Sequence, residues 1–241
     1  MGNLPQIIQS GDRSVSVEFE NIISPEVNRK VRWLSHLLGE KQFSWVTDMV
    51  PSYRSLLVCY DPQLISRSDI ESRLLELCKV HPRINTELSR IIEIPTMYGE
   101  SRGPDLEFVA NYHGVDVKTI IDIHSRPIYQ IYMLGFSPGF PYLGGMPESI
   151  ATPRLDSPRK QVPAGSVGIA NEQTGIYPNI SPGGWRIIGQ TPLILFDQNR
   201  LPPALFTAGD RLKFIPIDEH EFLDISRLVS SGKYNVVTDS T

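Results

Sequence analysis

Residues 134–145 read LGFSPGFPYLGG, a stretch in which glycines and prolines separate the aromatic side chains. Glycine and proline stay frequent through residues 135–192, and this composition excludes long helices. Short apolar runs divide this half of the chain, and they predict the strands of an all-β domain whose sheet closes to protect its edges. The predicted strands are Ile128–Leu134, Gly165–Ala170, Trp185–Gly189, Leu193–Phe196 and Arg211–Ile215.

Helical patterns flank this β region on both sides. Residues 104–110 and 116–123 carry short apolar stripes, which predict two helices that lead into the β region. A further helix is predicted for residues 218–230, and a polar tail follows it. We therefore assign residues 96–241 to one β-barrel domain with leading and terminal helices.

The first part of the chain alternates strand and helix patterns. The order strand, helix, strand, strand, helix, strand is typical of a ferredoxin-like α/β sandwich, which we assign to residues 1–95. The predicted fold class of the whole chain is therefore α+β. The predicted elements are Arg13–Phe19, a helix from Ser24 to Gly39, strands Trp45–Val50 and Ser55–Tyr60, a helix from Ser68 to His81-Pro82, and a strand Arg90–Ile94.

Composition limits the classes of partner. The 241 residues carry a formal charge of -4 and no basic cluster, which argues against binding to nucleic acid or to an anionic membrane. The start MGNLPQIIQSGDRS lacks the features of a signal peptide, and no apolar run is long enough to span a bilayer, so we expect a cytoplasmic protein. The two cysteines and five histidines show no zinc-site spacing, and no metal site is predicted.

The aromatic loop at 134–145 has two interpretations. In the structural one it forms a barrel rim whose Phe136, Phe140 and Tyr142 plug the core. In the functional one these rings, together with Pro138, form a preformed wall of a ligand or partner site, because rigid loops on a β scaffold often carry recognition.

A second dense stretch, residues 154–166, places cations among prolines. Arg154 and Arg159 are candidate anchors of an anion pocket for a carboxylate substrate or a phosphorylated intermediate, with Ser166 as a hydrogen-bond donor. The alternative is that these charges are solvated or paired with Asp156 and nearby glutamates.

Two further places offer candidate functional groups. Residues 173–185 look like two tight turns, and Tyr177 and Trp185 are the binding candidates within them. His124 precedes the β domain and is a candidate general acid or base, although a lone histidine is more often structural. The chain has no Walker A loop, GxGxxG or GxSxG sequence, so these motifs give no support for autonomous ATP binding.

Three segments make the sequence specific: LGFSPGFPYLGGM at 134–146, PRLDSPRKQVPAGSVGIA at 153–170 and TGIYPNISPGGWRIIGQTP at 174–192. Together they closely resemble the allophanate hydrolase subunit 1 family, and the likeness extends over nearly the whole chain. The resemblance implies an N-terminal α/β domain followed by a cyclophilin-like β-barrel. Members of that family include the B subunit of the bacterial ATP-dependent 5-oxoprolinase, a Bacillus inhibitor of a sporulation histidine kinase, and part of the carboxyltransferase region of urea carboxylase.

The resemblance implies two main functions. In the first, the chain works with homologues of the A and C subunits to convert 5-oxoproline to L-glutamate, holds no cofactor of its own, and depends on ATP that the complex uses. In the second, the barrel or its aromatic loop docks onto a sensor histidine kinase and inhibits autophosphorylation. Prolyl isomerase activity is a third possibility, suggested only by the barrel.

Overall fold

The computed structural model describes residues 4–79 and 90–240. The chain divides into two compact units, residues 1–87 and 88–241. None of the helices in the described ranges combines the length and the apolarity that crossing a bilayer requires. The predicted helix end at His81-Pro82 lies outside the described residues.

The first unit is a four-stranded antiparallel sheet with two helices. Alternating apolar residues of β2 and β4 pack against the apolar stripe of α1, and Val17, Leu34 and Leu56 are fully buried there. The sheet order is β1-β2-β4-β3. The elements are β1 (Gln6–Gln9), β2 (Ser14–Glu18), α1 (Pro25–Lys41), β3 (Val46–Pro51), β4 (Ser55–Tyr60) and α2 (Arg67–Lys79).

The second unit contains the larger sheet. Its strand order is β10-β9-β12-β5-β13-β6-β7, with β14 paired to β5, and β8 and β11 form a separate two-stranded ribbon. The elements are β5 (Arg90–Tyr98), α3 (Leu106–His113), α4 (Val117–Ser125), β6 (Tyr129–Leu134), β7 (Pro141–Gly144), β8 (Arg159–Val162), β9 (Ser166–Ala170), β10 (Gln173–Ile176), β11 (Ser181–Gly183), β12 (Arg186–Gln190), β13 (Arg211–Pro216), α5 (Glu219–Ser230) and β14 (Thr238–Ser240).

This larger sheet is nearly closed. Its two end strands, β10 and β7, pack against each other, so the sheet curls round a core of its own. The predicted β domain is confirmed at this level, as a barrel-like sheet. The helix predicted at 218–230 is also confirmed, and its first turn has a capping box in which Asp218 accepts from the backbone N–H of Glu221 at 2.8 Å.

The prediction that Arg90–Ile94 is the last strand of the N-terminal sheet is wrong. This segment is part of β5, which lies inside the larger sheet and runs parallel to β13. The ferredoxin-like arrangement is therefore not confirmed, because the last of its six predicted elements lies in the larger sheet. The fourth strand of the N-terminal sheet is β1 instead.

Pro95 directly follows the predicted strand Arg90–Ile94, yet β5 continues through it to Tyr98, and the geometry explains why. The backbone N–H of Glu93 bonds to Val237 just before β14, so the N–H position of residue 95 faces the same side of β5. On that side β14 pairs only with residues 90–92 and β12 only with residues 97–98. Proline thus lies in the gap between two partners, where its missing donor removes no ladder hydrogen bond.

Two expectations in the second unit also need correction. Leu193–Phe196 is not a strand; only Phe196 forms an isolated bridge, to Ala204. The carbonyl groups of Ile194 and Leu195 instead accept from the Arg200 guanidinium at 3.2 and 3.1 Å. The tail expected to be a polar extension contains β14, which adds to the edge of β5.

Candidate functional site

The predicted binding residues form one aromatic cluster. Phe140 is its centre and is 2% exposed, with ring centroids 5.1 Å from Tyr142, 5.7 Å from Tyr177 and 5.6 Å from Trp185. The ring of Phe136 lies edge-on to Phe140 at 5.4 Å. Edge-to-face pairs of this kind add stabilisation beyond simple burial.

The cluster lies beside the two end strands of the sheet, because Phe140 directly precedes β7 and its ring packs against Gly175 of β10. Gly175 lies on β10, and a Cβ there would be 3.0 Å from the Phe140 ring and 3.1 Å from the Trp185 ring. Gly183 on β11 leaves similar space, because a Cβ there would lie 2.4 Å from the Tyr177 hydroxyl. The glycines of this region therefore make room for aromatic rings.

Phe136 differs from the other rings. It is 65% exposed and has φ of 61°, a left-handed conformation that is unusual for a bulky residue. The loop holds it there through two backbone hydrogen bonds, from Gly135 to Phe140 at 3.1 Å and from Phe140 to Ser137 at 3.0 Å. An exposed ring on a rigid, strained loop fits the recognition interpretation, whereas buried Phe140 fits the structural one.

Pro138 lies exposed in the same loop. Its carbonyl accepts from the side-chain amide of Asn179 at 3.5 Å, which ties the loop to the turn that carries Ile180. Ile180 is 68% exposed. The loop and the turn thus present apolar groups beside the cluster.

The two predicted arginines lie at the edge of the cluster and differ in their exposure and in their partners. The guanidinium of Arg154 is exposed and stands over the Trp185 ring, 6.0 Å from its centroid. Arg159 is half-buried and donates to Asp105 at 2.8 Å and to the Trp185 carbonyl at 3.3 Å. Of the alternative that these charges are solvated or paired nearby, Arg154 fits the solvated part, whereas the ionic partner of Arg159 is Asp105 and not Asp156 or a nearby glutamate.

Tyr177 connects the rings to the charges. Burial raises the pKa of its hydroxyl, while the backbone N–H of Trp185 and the charges of Arg154 and Arg159 act in the opposite direction. The hydroxyl therefore stays protonated near neutral pH and is a hydrogen-bond donor. The arrangement combines a buried phenol, a fixed guanidinium and an exposed guanidinium, which suits an anionic or carbonyl-bearing ligand.

Ser166 is buried in β9, where its backbone pairs with Gln190 of β12. Its carbonyl accepts from the backbone N–H of Tyr177 at 2.9 Å. Within the described ranges no hydrogen bond joins its side chain to Arg154 or Arg159. Ser166 thus fixes the chain at Tyr177, and its role as a donor stays a prediction.

His124 lies elsewhere, inside the barrel-like sheet. Its Nδ1 is 2.8 Å from the Tyr98 hydroxyl, and its Nε2 is 2.8 Å from the Thr174 hydroxyl. Thr174 donates its only hydroxyl proton to the Gly168 carbonyl, so Nε2 carries the ring proton and Nδ1 accepts from Tyr98. The ring has no exposed surface, which favours the structural interpretation of this residue.

The buried ring predicts an acid-dependent loss of stability. Burial lowers the pKa of His124 to about 3, from 6.5. As pH falls from 6.5 towards 3 the unfolded chain takes up a proton that the folded chain does not, so the free energy of unfolding falls by up to about 1.4 kcal/mol per pH unit. Urea denaturation at several pH values should show this slope, and His124→Gln should reduce it.

His36→Gln is the matched control, because that side chain is 73% exposed. It should leave the slope unchanged. An equal slope in wild type and His124→Gln would contradict the assigned burial and neutrality of His124.

Asp105 was missed from the sequence, and Ser181, one of the hydroxyls that the turns at 173–185 offer, was given no role. Asp105 follows Pro104 at the start of a predicted helix, where an aspartate is ordinarily a cap, and its partner Arg159 is 54 positions away. The Ser181 hydroxyl is buried and has no hydrogen-bond partner among the described residues. Ser181 lies opposite Val162 in the β8–β11 ribbon, so the two side chains lie on the same side of the ribbon. Val162 packs against the aromatic cluster.

Comparison with protein families defines the class. Residues 5–206 match the model of the carboxyltransferase domain, subdomain C and D. The match covers most of the chain and includes the aromatic cluster, both arginines and Asp105. The chain belongs to this family.

Two curated proteins and one solved structure illustrate what the chain is similar to. The chain is 44% identical over 231 residues to the 5-oxoprolinase B subunit of Bacillus subtilis, covering 90% of this chain and 95% of the relative. It is 40% identical over 210 residues to the 5-oxoprolinase B subunit of Escherichia coli O157:H7, covering 87% of this chain and 94% of the relative. Urea carboxylase of Kluyveromyces lactis shares the fold, with a TM-score of 0.80 and 20% identity, over 100% of this chain and 24% of that one.

Proposed function

We propose that this chain is the B subunit of an ATP-dependent 5-oxoprolinase, which converts 5-oxoproline to L-glutamate. The observation that carries the proposal is the 44% identity to the 5-oxoprolinase B subunit of Bacillus subtilis, which extends over 95% of that protein. The proposed partners are homologues of the A and C subunits. The chain is proposed to hold no cofactor of its own, with ATP used by the complex.

The proposed reaction explains why cations and a phenol would meet in one place. Opening the lactam adds water across the amide C–N bond, and the ring carbonyl oxygen gains negative charge on the way. Preorganised donors stabilise such charge most effectively where water is excluded. The fixed Arg159 and the protonated Tyr177 hydroxyl are the proposed donors at this oxygen.

Arg154 suits a different task in the proposed site. Its guanidinium is exposed, and no carboxylate in the described part of the chain forms an ion pair with it. The substrate 5-oxoproline carries one free carboxylate, which a guanidinium can hold with two parallel hydrogen bonds. Arg154 is therefore the proposed anchor for the substrate carboxylate.

The finer fold assignment is part of the same proposal. The nearly closed sheet of residues 88–241 is proposed to be the cyclophilin-like barrel that the family resemblance implies. The order of seven paired strands with two packed ends supports it. The barrel would then carry the aromatic cluster at its open edge.

An omission experiment tests the function. Purified chain is mixed with homologues of the A and C subunits, and ADP release is measured with and without 5-oxoproline while each protein is omitted in turn. We expect 5-oxoproline-dependent ADP release from the full mixture and none when this chain is left out. Undiminished activity without this chain would contradict the proposal.

The alternative function, inhibition of a sensor histidine kinase, has one supporting observation, the exposed ring of Phe136 on its rigid loop. Aromatic residues are common anchors in protein interfaces. If the omission experiment shows that the chain is dispensable, autophosphorylation of a histidine kinase in the presence of excess chain becomes the deciding measurement. Unchanged autophosphorylation would then reject the alternative.

A further inference from the structure

We infer that Asp105 is a positioning residue of the proposed active site, which holds the Arg159 guanidinium against the β12 segment. The inference rests on the proposed function. It assigns a second task to a buried carboxylate that also joins the start of α3 to β12.

Asp105 stands at the N-cap position of α3 but does not cap the helix. Its φ of -102° and ψ of 1° are not those of an ordinary cap, and its side chain makes no cap hydrogen bond. An aspartate at this position usually accepts from the second or third backbone N–H of the helix, worth about 1 kcal/mol. The carboxylate has therefore been turned away from its usual local partner.

Both carboxylate oxygens are used by distant residues instead. Oδ1 accepts from Nη2 of Arg159 at 2.8 Å, and Oδ2 accepts from the backbone N–H of Ile187 at 2.6 Å. The backbone N–H of Asp105 donates to the Ile187 carbonyl at 2.9 Å. Asp105 thus ties the start of α3 to β12 and to Arg159 at once.

Arg159 needs this support because of where it lies. It begins β8, which belongs to the two-stranded ribbon with β11 and is outside the large sheet. A long arginine side chain on a short ribbon has many rotamers, and ordering it is entropically unfavourable. Contacts with Asp105 and with the Trp185 carbonyl fix the guanidinium against β12, which is a central strand of the sheet.

The ion pair between Asp105 and Arg159 also makes the two arginines of the site different in charge and mobility. Asp105 compensates the charge of Arg159, and its side chain is only 10% exposed, so this pair is little screened by solvent. Two of the five guanidinium N–H groups of Arg159 are occupied by Asp105 and Trp185, which leaves the others for a ligand. Arg159 is therefore a fixed donor, while Arg154 keeps a free charge.

The test uses Asp105→Asn in the full mixture of three proteins. The amide keeps the size of the side chain, but one of the two oxygen positions becomes an NH2 donor, which then faces the N–H of either Arg159 or Ile187 instead of accepting from it. We expect kcat for 5-oxoproline-dependent ADP release to fall by about 10²-fold, the effect of a small misplacement of a catalytic group, with little change in KM. Glu107→Gln, an exposed acid in the first turn of α3, is the matched control and should keep the wild-type kcat.

A second measurement does not depend on activity. It is an NMR measurement on the chain labelled with ¹⁵N-arginine. In the wild type the Nη2 group of Arg159 should rotate slowly, so that its protons give separate signals. In Asp105→Asn the group should rotate faster, and the signals should merge into an average. Unchanged kcat in Asp105→Asn, even with a lower melting temperature, would leave Asp105 a purely structural residue and overturn the inference. Averaged Arg159 signals in the wild type would overturn it as well, whether or not the variant folds, whereas an inactive wild-type mixture would contradict the proposed function itself.

Discussion

Arg159→Ala is expected to lower 5-oxoproline-dependent ADP release by about 10²–10³-fold, the loss that follows removal of one preorganised donor from an oxyanion site. It should also lower the free energy of unfolding by about 1–3 kcal/mol, because the Asp105 carboxylate stays buried without its ionic partner. Steady-state kinetics of the reconstituted complex and urea denaturation of the chain alone measure the two effects separately.

Two further variants make the Arg159 prediction specific. Lys160→Ala removes the neighbouring exposed cation and should change neither quantity by much. Arg159→Lys keeps the positive charge but loses the planar fork, so it should recover stability better than activity. Wild-type activity in Arg159→Ala would mean that the reaction does not use this guanidinium.

Much of the aromatic site was predictable from residue types. Residues 134–145 combine rings with glycine and proline, which indicates a rigid loop, and the structure joins Phe140 of this loop to Tyr177 and Trp185 from the later segment. What composition could not predict is which ring is buried. Phe136 and Phe140 are four positions apart in the same loop, and only the backbone path separates an exposed ring from the cluster centre.

The misassigned elements have different causes. Arg90–Ile94 has the alternating pattern of a strand, but alternation does not say which sheet the strand joins, and the nearest predicted strands belonged to the other unit. Leu193–Phe196 is apolar because Leu193 and Leu195 fill the core, although its carbonyls accept from the Arg200 guanidinium and from the backbone N–H of Leu205 and form no regular ladder. Long-range pairing decided the first case, and a turn of the chain back onto Arg200 and Leu205 decided the second.

The charged part of the site shows the same limit. Arg154 and Arg159 were identified because cations among prolines suggest an anion pocket, yet their difference depends on Asp105, which is distant in the chain. An aspartate at the start of a helix is ordinarily a cap, so the residue type of Asp105 does not indicate a distant partner. A carboxylate at a cap position that pairs with a distant residue instead of capping the helix can be identified only from the three-dimensional structure.

Phe140→Ala is expected to lower the free energy of unfolding by about 3–5 kcal/mol, as is usual when a buried phenylalanine is truncated in a core that cannot collapse. Phe140 is 2% exposed and contacts four other aromatic rings, so the change opens a cavity and removes their edge-to-face partner. Urea denaturation with a comparison of m-values measures the loss. A loss no larger than that of a surface substitution would show that these rings are not packed as described.

Phe136→Ala is the matched variant from the same loop. Its ring is 65% exposed, so stability should change by no more than about 0.5 kcal/mol. If the strained loop serves recognition, the same variant should weaken association with the partner proteins, which size-exclusion chromatography of the mixture can detect. Because Phe140→Ala loses stability and Phe136→Ala does not, a defect in assembly shown by Phe136→Ala alone would assign recognition to the exposed ring and packing to the buried one.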